Sequence, residues 1–255
     1  MFKINFFSKI ILLLTINMIN CKYPFMSLSE ELSNYLKSKG ATEVGYADIA
    51  DFTTKKGLNI GIAFYIEYPR DIIRNMENAP TREYVLELVD MNSRLDEIGM
   101  ACEKFLIDRG YDAYAQTKKR LGTDFGEFNS FDLPHKTIAT RSGLGWIGKS
   151  ALLTTLGYGS ALRISSVLTD APLDVGDPVL ESKCGKCMIC RDACPGGAIS
   201  GINWNYKIKR NDFYDDRKCE KYALIVSEKN LGAPDTVCGK CIYACPYTQR
   251  YIRRK

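Results

Sequence analysis

Eight of the ten cysteines in this 255-residue chain fall between residues 184 and 245. Their spacing is the first feature that could do chemistry. Cys184, Cys187, Cys190 and Cys194 follow the pattern C-x2-C-x2-C-x3-C, with Pro195 next. That is the spacing of bacterial 4Fe–4S ligand runs. Three thiolates two residues apart wrap a tight loop around one cubane, and the fourth, beginning a helix, points to another. Pro195 suits the first turn of such a helix, where its missing N–H loses nothing. A second, abridged run is Cys238, Cys241, Cys245 and Pro246, with Cys219 upstream supplying the missing ligand. Cross-ligation then assigns Cys184, Cys187, Cys190 and Cys245 to cluster one, and Cys194, Cys219, Cys238 and Cys241 to cluster two. The competing reading is structural zinc, which prefers cysteines in separated pairs and fits this spacing badly.

A second motif lies upstream. Gly143-Leu144-Gly145-Trp146-Ile147-Gly148-Lys149-Ser150 satisfies both G-x-G-x-x-G and G-x4-G-K-S. A phosphate-binding loop of either kind needs a strand before it and a helix after it. Residues 133–142 offer only Ile138-Ala139 as an apolar pair, so an ATP or dinucleotide site is disfavoured. The bland alternative is that the glycines let the backbone pack closely against another surface.

The elements that must position these motifs are legible in part. Ser27 and Glu30 form a capping box for a helix over 27–39, with Leu28, Leu32, Tyr35 and Leu36 on one face and Gly40 as its stop. Residues 43–49 and 59–66 read as strands. The second is almost continuously apolar and is expected in the middle of a sheet. Residues 82–109 read as a long helix, with Tyr84, Leu88, Met91, Leu95, Ile98, Cys102 and Phe105 at steps of three and four, ending at Gly110. Cys102 on that stripe is expected to be a buried, inert thiol. Residues 111–116 form a short strand, 117–133 a loop, and 161–169 a further strand. Pro, Gly and Asp cluster at 171–178 and suggest a boundary. The expected organisation is a mixed helix-and-strand core over 26–176 and a double-cluster, ferredoxin-like domain over 177–255.

Charge and composition narrow the class. The chain is 45% hydrophobic and 25% charged, which excludes a disordered or collagen-like chain. Three of its five net positive charges are Lys3, Lys9 and Lys22, and residues 1–25 contain no acid. The remaining +2 does not argue for a nucleic-acid surface. Residues 10–16 are apolar but far short of the ~20 residues of a membrane span, and Asn17, Met18 and Asn20 make a poor cleavage site. Ile, Asn, Lys and Phe supply 15 of these 25 residues. The stretch therefore reads as translated AT-rich upstream DNA, with the domain starting at Met26 and a secretion signal as the alternative. Cysteines in metal-ligand spacing need free thiolates and place the chain in the cytoplasm, without a membrane.

The block Arg141–Leu153, then Gly159-Ser160 and Leu168–Leu173, together with the two cysteine runs, resembles the epoxyqueuosine reductases over about residues 26–250. The resemblance implies a nitroreductase-like α+β core with a C-terminal two-cluster module. It also implies cobalamin beside the two 4Fe–4S clusters, and deoxygenation of a modified tRNA base. It places Gly143, Gly145, Trp146, Gly148 and Lys149 in the corrinoid-containing core. It further implies a low-potential electron donor: a flavodoxin, a ferredoxin or a reductase. Two departures stand out. The family's catalytic Asp aligns without gaps on Asn129, leaving Asp132 and His135, the only histidine, as candidate proton donors. The helical repeats that full-length members use on tRNA are not found after Cys245, so a tRNA substrate is doubtful and the substrate is open. The rival readings are an electron carrier serving a partner enzyme and, last, an ATP-driven activator.

Overall fold

The computed structural model describes residues 26–54, 57–121 and 133–254. Residues 1–25, Asn129 and Asp132 lie outside them. Ser27 caps α1 (Leu28–Ser38) with its hydroxyl on the Glu30 N–H, while the Glu30 carboxylate accepts from the Ser27 N–H. Strands β1 (Glu43–Asp48) and β2 (Ile60–Glu67) follow. Next come α2 (Arg70–Arg74), the long α3 (Arg82–Ile107), β3 (Ala113–Ala115) and a short α4 (Lys118–Leu121). Helix α5 (His135–Arg141) leads into a two-stranded hairpin, β4 (Trp146–Ile147) and β5 (Leu153–Thr154), and then β6 (Leu162–Thr169).

The main sheet is antiparallel throughout, in the order β1-β2-β6-β3. Its two faces explain the missing alternation in β2. Ile62, Phe64 and Ile66 pack with α1 and α3 through Leu32, Leu36, Met91, Leu95 and Ile98. Ala63 and Tyr65 pack on the other side with Ile138 and Ala139 of α5. Both faces of the strand are covered, so its buried positions 61–66 carry no charge. All seven residues of the α3 stripe are buried, each worth about 1.5–3 kcal/mol of transfer free energy for a large side chain. Cys102 is among them, and burial pushes its thiol pKa well up, as expected of an inert thiol.

The C-terminal part is mostly short helices: α6 (Ile189–Asp192), α7 (Arg210–Phe213), α8 (Asp216–Leu231), α9 (Lys240–Ala244) and α10 (Pro246–Arg253). It does not stand apart from the sheet. Val237, Ile242, Tyr251 and Ile252 belong to the same hydrophobic cluster as Leu32 and Phe64. The Tyr251 hydroxyl donates to the Tyr68 carbonyl at 2.8 Å, and the Arg74 Nε–H donates to the Ile252 carbonyl at 2.8 Å. Gly159 makes a close backbone passage. A Cβ there would collide with the backbone nitrogen of Thr248 on α10, and the neighbouring Ser160 N–H donates to Thr248 Oγ1 at 3.1 Å.

Candidate functional site

The first cysteine loop is tightly turned. The Cys187 N–H donates to the Cys184 carbonyl at 3.1 Å, and α6 begins two residues later. One expectation for this loop is corrected. No helix starts at Cys194-Pro195; the helix precedes Cys194, and Pro195-Gly196 form a turn. Gly197, at φ +61°, carries the chain out of that turn in a conformation a helix cannot use. The second run behaves as expected, with Pro246 opening α10 directly after Cys245.

The fold gathers the eight thiols into two neighbourhoods. Burial pushes the Cys190 thiol up to about 11, reinforced by the neighbouring thiols of Cys184, Cys245 and Cys187. Burial likewise raises Cys238, with Cys219 and Cys194 adding to it, and raises Cys241, with Cys238, Cys219, Cys190 and Cys194 adding to it. Thiolates packed this closely repel one another, and a cation among them removes that penalty. Among the described residues no three His, Cys, Asp or Glu side chains converge as ligands of one ion. The donor chemistry suits a metal–sulfide unit that takes each thiolate on a different iron.

Hydrogen-bond donors surround these sulfurs. The Ala198 N–H donates to Cys194 Sγ at 3.4 Å. The Tyr214 hydroxyl donates to Cys219, and backbone N–H groups of Tyr247 and Thr248 donate to Cys245. The Trp146 indole N–H donates to Cys184 Sγ at 3.4 Å. Such bonds stabilise thiolate charge and tune cluster potential. Tyr214 has no signal in the cysteine spacing. It comes to Cys219 only because α8 starts between them, capped by the Asp215 side chain on the Lys218 N–H.

The glycine motif turns out to be a hairpin. A helix, α5, precedes it and β5 follows, so the strand–loop–helix of a phosphate site is absent there. A Cβ at Gly145 would collide with the Thr154 carbonyl oxygen across the hairpin, and one at Gly148 would come within 2.7 Å of Thr154 Oγ1. Gly143, at φ +81°, faces the Asp177 carbonyl. The glycines serve close packing within the chain. Trp146 and Lys149 turn to the cysteine loop instead. The Trp146 ring also meets Tyr247 edge-on at 5.0 Å between centroids.

His135 opens α5, with Nδ1 2.7 Å from Ser166 Oγ, which also accepts from the Gln116 amide at 2.8 Å. Burial, with Arg163, Lys118 and Lys136 nearby, lowers its pKa to about 3. The ring is therefore neutral at physiological pH and holds no imidazolium proton to give. Asp132, the other candidate donor, is outside the described residues.

Residues 183–248 match the family described as 4Fe-4S double cluster binding domain. The chain is 30% identical over 168 residues to epoxyqueuosine reductase of Listeria monocytogenes, covering 63% of this chain and 39% of that enzyme. The enzyme of Pseudomonas aeruginosa is 31% identical over 150 residues, 52% of this chain and 38% of its own. The chain is similar in sequence to the epoxyqueuosine reductases. It matches a double 4Fe–4S cluster binding domain over residues 183–248 and spans well under half the length of these relatives. Solved structures agree on the fold. A catabolic reductive dehalogenase superposes with a TM-score of 0.64 at 19% identity, covering 86% of this chain and 31% of that one. An epoxyqueuosine reductase solved with an epoxyqueuosine-modified tRNA-Tyr stem loop superposes with a TM-score of 0.56 at 20% identity, covering 87% and 65%. The coarse expectation, an α+β chain with a ferredoxin-like cluster domain, agrees with these findings. Among the described residues no helix is long and apolar enough to cross a membrane.

Proposed function

We propose that this chain is an iron–sulfur reductase that cleaves a carbon–heteroatom bond in its substrate. Its two 4Fe–4S clusters are held by Cys184, Cys187, Cys190 and Cys245, and by Cys194, Cys219, Cys238 and Cys241. The observation that carries the reading is the gathering of eight thiols into two neighbourhoods, each drawing on both cysteine runs. When bound, the clusters deliver electrons one at a time and a corrinoid supplies the bond-cleaving chemistry. The protein's part is to bury the thiols, to donate hydrogen bonds from Trp146, Tyr214 and Ala198, and to seat Cys245 by docking α10. The corrinoid and a nitroreductase-like core rest on the likeness to epoxyqueuosine reductases and reductive dehalogenases. By their names, the dehalogenases remove a halogen reductively and the epoxyqueuosine reductases reduce an epoxide. A two-electron cleavage consumes at least one proton, and the lowered pKa of His135 disfavours its imidazolium as the source.

Anaerobic reconstitution with iron and sulfide, followed by cobalamin and desalting, tests this. The expected result is eight irons per chain and a retained corrinoid spectrum. Turnover is then assayed with a chemical reductant and epoxyqueuosine, free and in tRNA. Eight irons without a corrinoid and without turnover would make the chain an electron carrier for a partner enzyme. Four irons or fewer, or bound zinc, would overturn the cluster reading.

A further inference from the structure

Lys149 is a buried cation that the reductase reading does not use. It comes from the glycine hairpin and is 2% exposed, among the largest fully buried side chains described. Burying an ammonium is costly unless a counter-charge or strong acceptors compensate. The one contact described for its Nζ is Met188 Sδ at 3.5 Å, and a thioether is a weak acceptor. No carboxylate forms an ion pair with Lys149 among the described residues.

Where that contact falls gives the residue its meaning. Met188 stands between Cys187 and Cys190, so the ammonium is held against the first cysteine loop. The same hairpin, three residues earlier, delivers the Trp146 N–H to Cys184 Sγ. Two side chains on one short, glycine-packed element thus reach the first cysteine loop, Trp146 at the thiol of Cys184 and Lys149 at Met188. The hairpin is preceded by a helix and followed by a strand, so Lys149 is not poised over a nucleotide phosphate. A four-thiolate cluster carries net negative charge that grows on reduction, and it is the acceptor this ammonium lacks.

We propose that Lys149 is the buried counter-charge of cluster one and a positioning residue that sets its reduction potential. The proposal rests on the cluster assignment above. A fixed positive charge favours the reduced, more negative state, since net charge is one of the levers on cluster potential. Cluster one is thereby a better electron acceptor than it would be with a neutral residue at this position.

The test uses the full chain, reconstituted anaerobically, as wild type, Lys149→Met, Lys149→Gln and Lys149→Arg. Iron and sulfide are assayed first, and each cluster is then titrated by electron paramagnetic resonance against a series of redox poises. Wild type below eight irons speaks against the cluster assignment itself, before Lys149 is at issue. With eight irons in all four proteins, the neutral variants are expected to cut the reduced-to-oxidised ratio of cluster one at least tenfold at fixed poise. That is about 59 mV for a one-electron couple. Cluster two should be unmoved, and Lys149→Arg should stay near wild type. Loss of cluster one alone in both neutral variants, with eight irons retained in Lys149→Arg, supports the same role. Unchanged titrations in the neutral variants overturn it, and so does loss of iron in every variant including Lys149→Arg, which would make the side chain a packing element.

Discussion

The indole N–H of Trp146 lies 3.4 Å from the sulfur of Cys184, joining the hairpin of the core to the first thiol of the cluster domain. A hydrogen bond of this kind is worth about 1 kcal/mol, or roughly 40 mV for a one-electron couple. Trp146→Phe keeps the ring that meets Tyr247 and removes the donor. Cluster one of that variant should be harder to reduce by about this amount in an electron paramagnetic resonance titration, with cluster two unchanged. A shift of both clusters together would point to general loosening instead.

The cysteine assignment separates two single substitutions. Cys219→Ser should lower the iron content from about eight toward about four per chain and leave the signal of cluster one. Cys245→Ser should do the reverse, although Cys245 belongs by sequence to the second run. Iron and sulfide analysis with low-temperature spectra reads both. Loss of the same cluster in the two variants would break the crossed assignment.

Gly159 and Gly57 give a controlled comparison. Both sit at positive φ, +60° and +67°, and a non-glycine residue there costs on the order of 1–3 kcal/mol. An added Cβ meets nothing within 4 Å at Gly57, whereas at Gly159 it collides with Thr248. Gly57→Ala should lower Tm by a few degrees, since ~1 kcal/mol moves Tm by roughly 2–4 °C in a chain of this size. Gly159→Ala should lower it several times further. Equal effects would show that α10 yields readily at this contact.

His135 makes a pH-dependent contribution. Its folded-state pKa is lowered to about 3, against about 6.5 for an unfolded chain. Between those values the unfolded chain takes up the proton and the folded one does not, so stability falls as pH drops below about 6.5. Wild type should therefore lose more melting temperature between pH 7.5 and pH 5 than His135→Gln. The comparison between the two proteins cancels whatever acid does to the clusters. Parallel losses would mean that His135 titrates normally in the fold.

What the sequence made legible follows physical lines. The Ser27–Glu30 capping box, the apolar stripe of α3 and the continuous apolar run of β2 are strong local signals, and each element formed where expected. Helix α5 was not legible. It has seven residues and no side-chain cap at Pro134, and its buried Ile138 and Ala139 are too few to set a period. The hairpin strands β4 and β5 have two residues each, below the length at which alternation means anything. Cysteine spacing suggested the two ligand sets, because the cluster geometry constrains it. It was silent on Tyr214 and on the direction of Lys149, because both are set by long-range packing.

Cys245 stands directly before α10, and α10 is seated by Tyr251 and Ile252 in a core that includes Leu32 and Phe64. The position of that thiol is therefore decided by tertiary closure and not by its own loop. On the proposed assignment, Cys184, Cys187 and Cys190 gain their fourth thiol partner only when α10 is docked, so a variant that loosens α10 is expected to lose cluster one before cluster two.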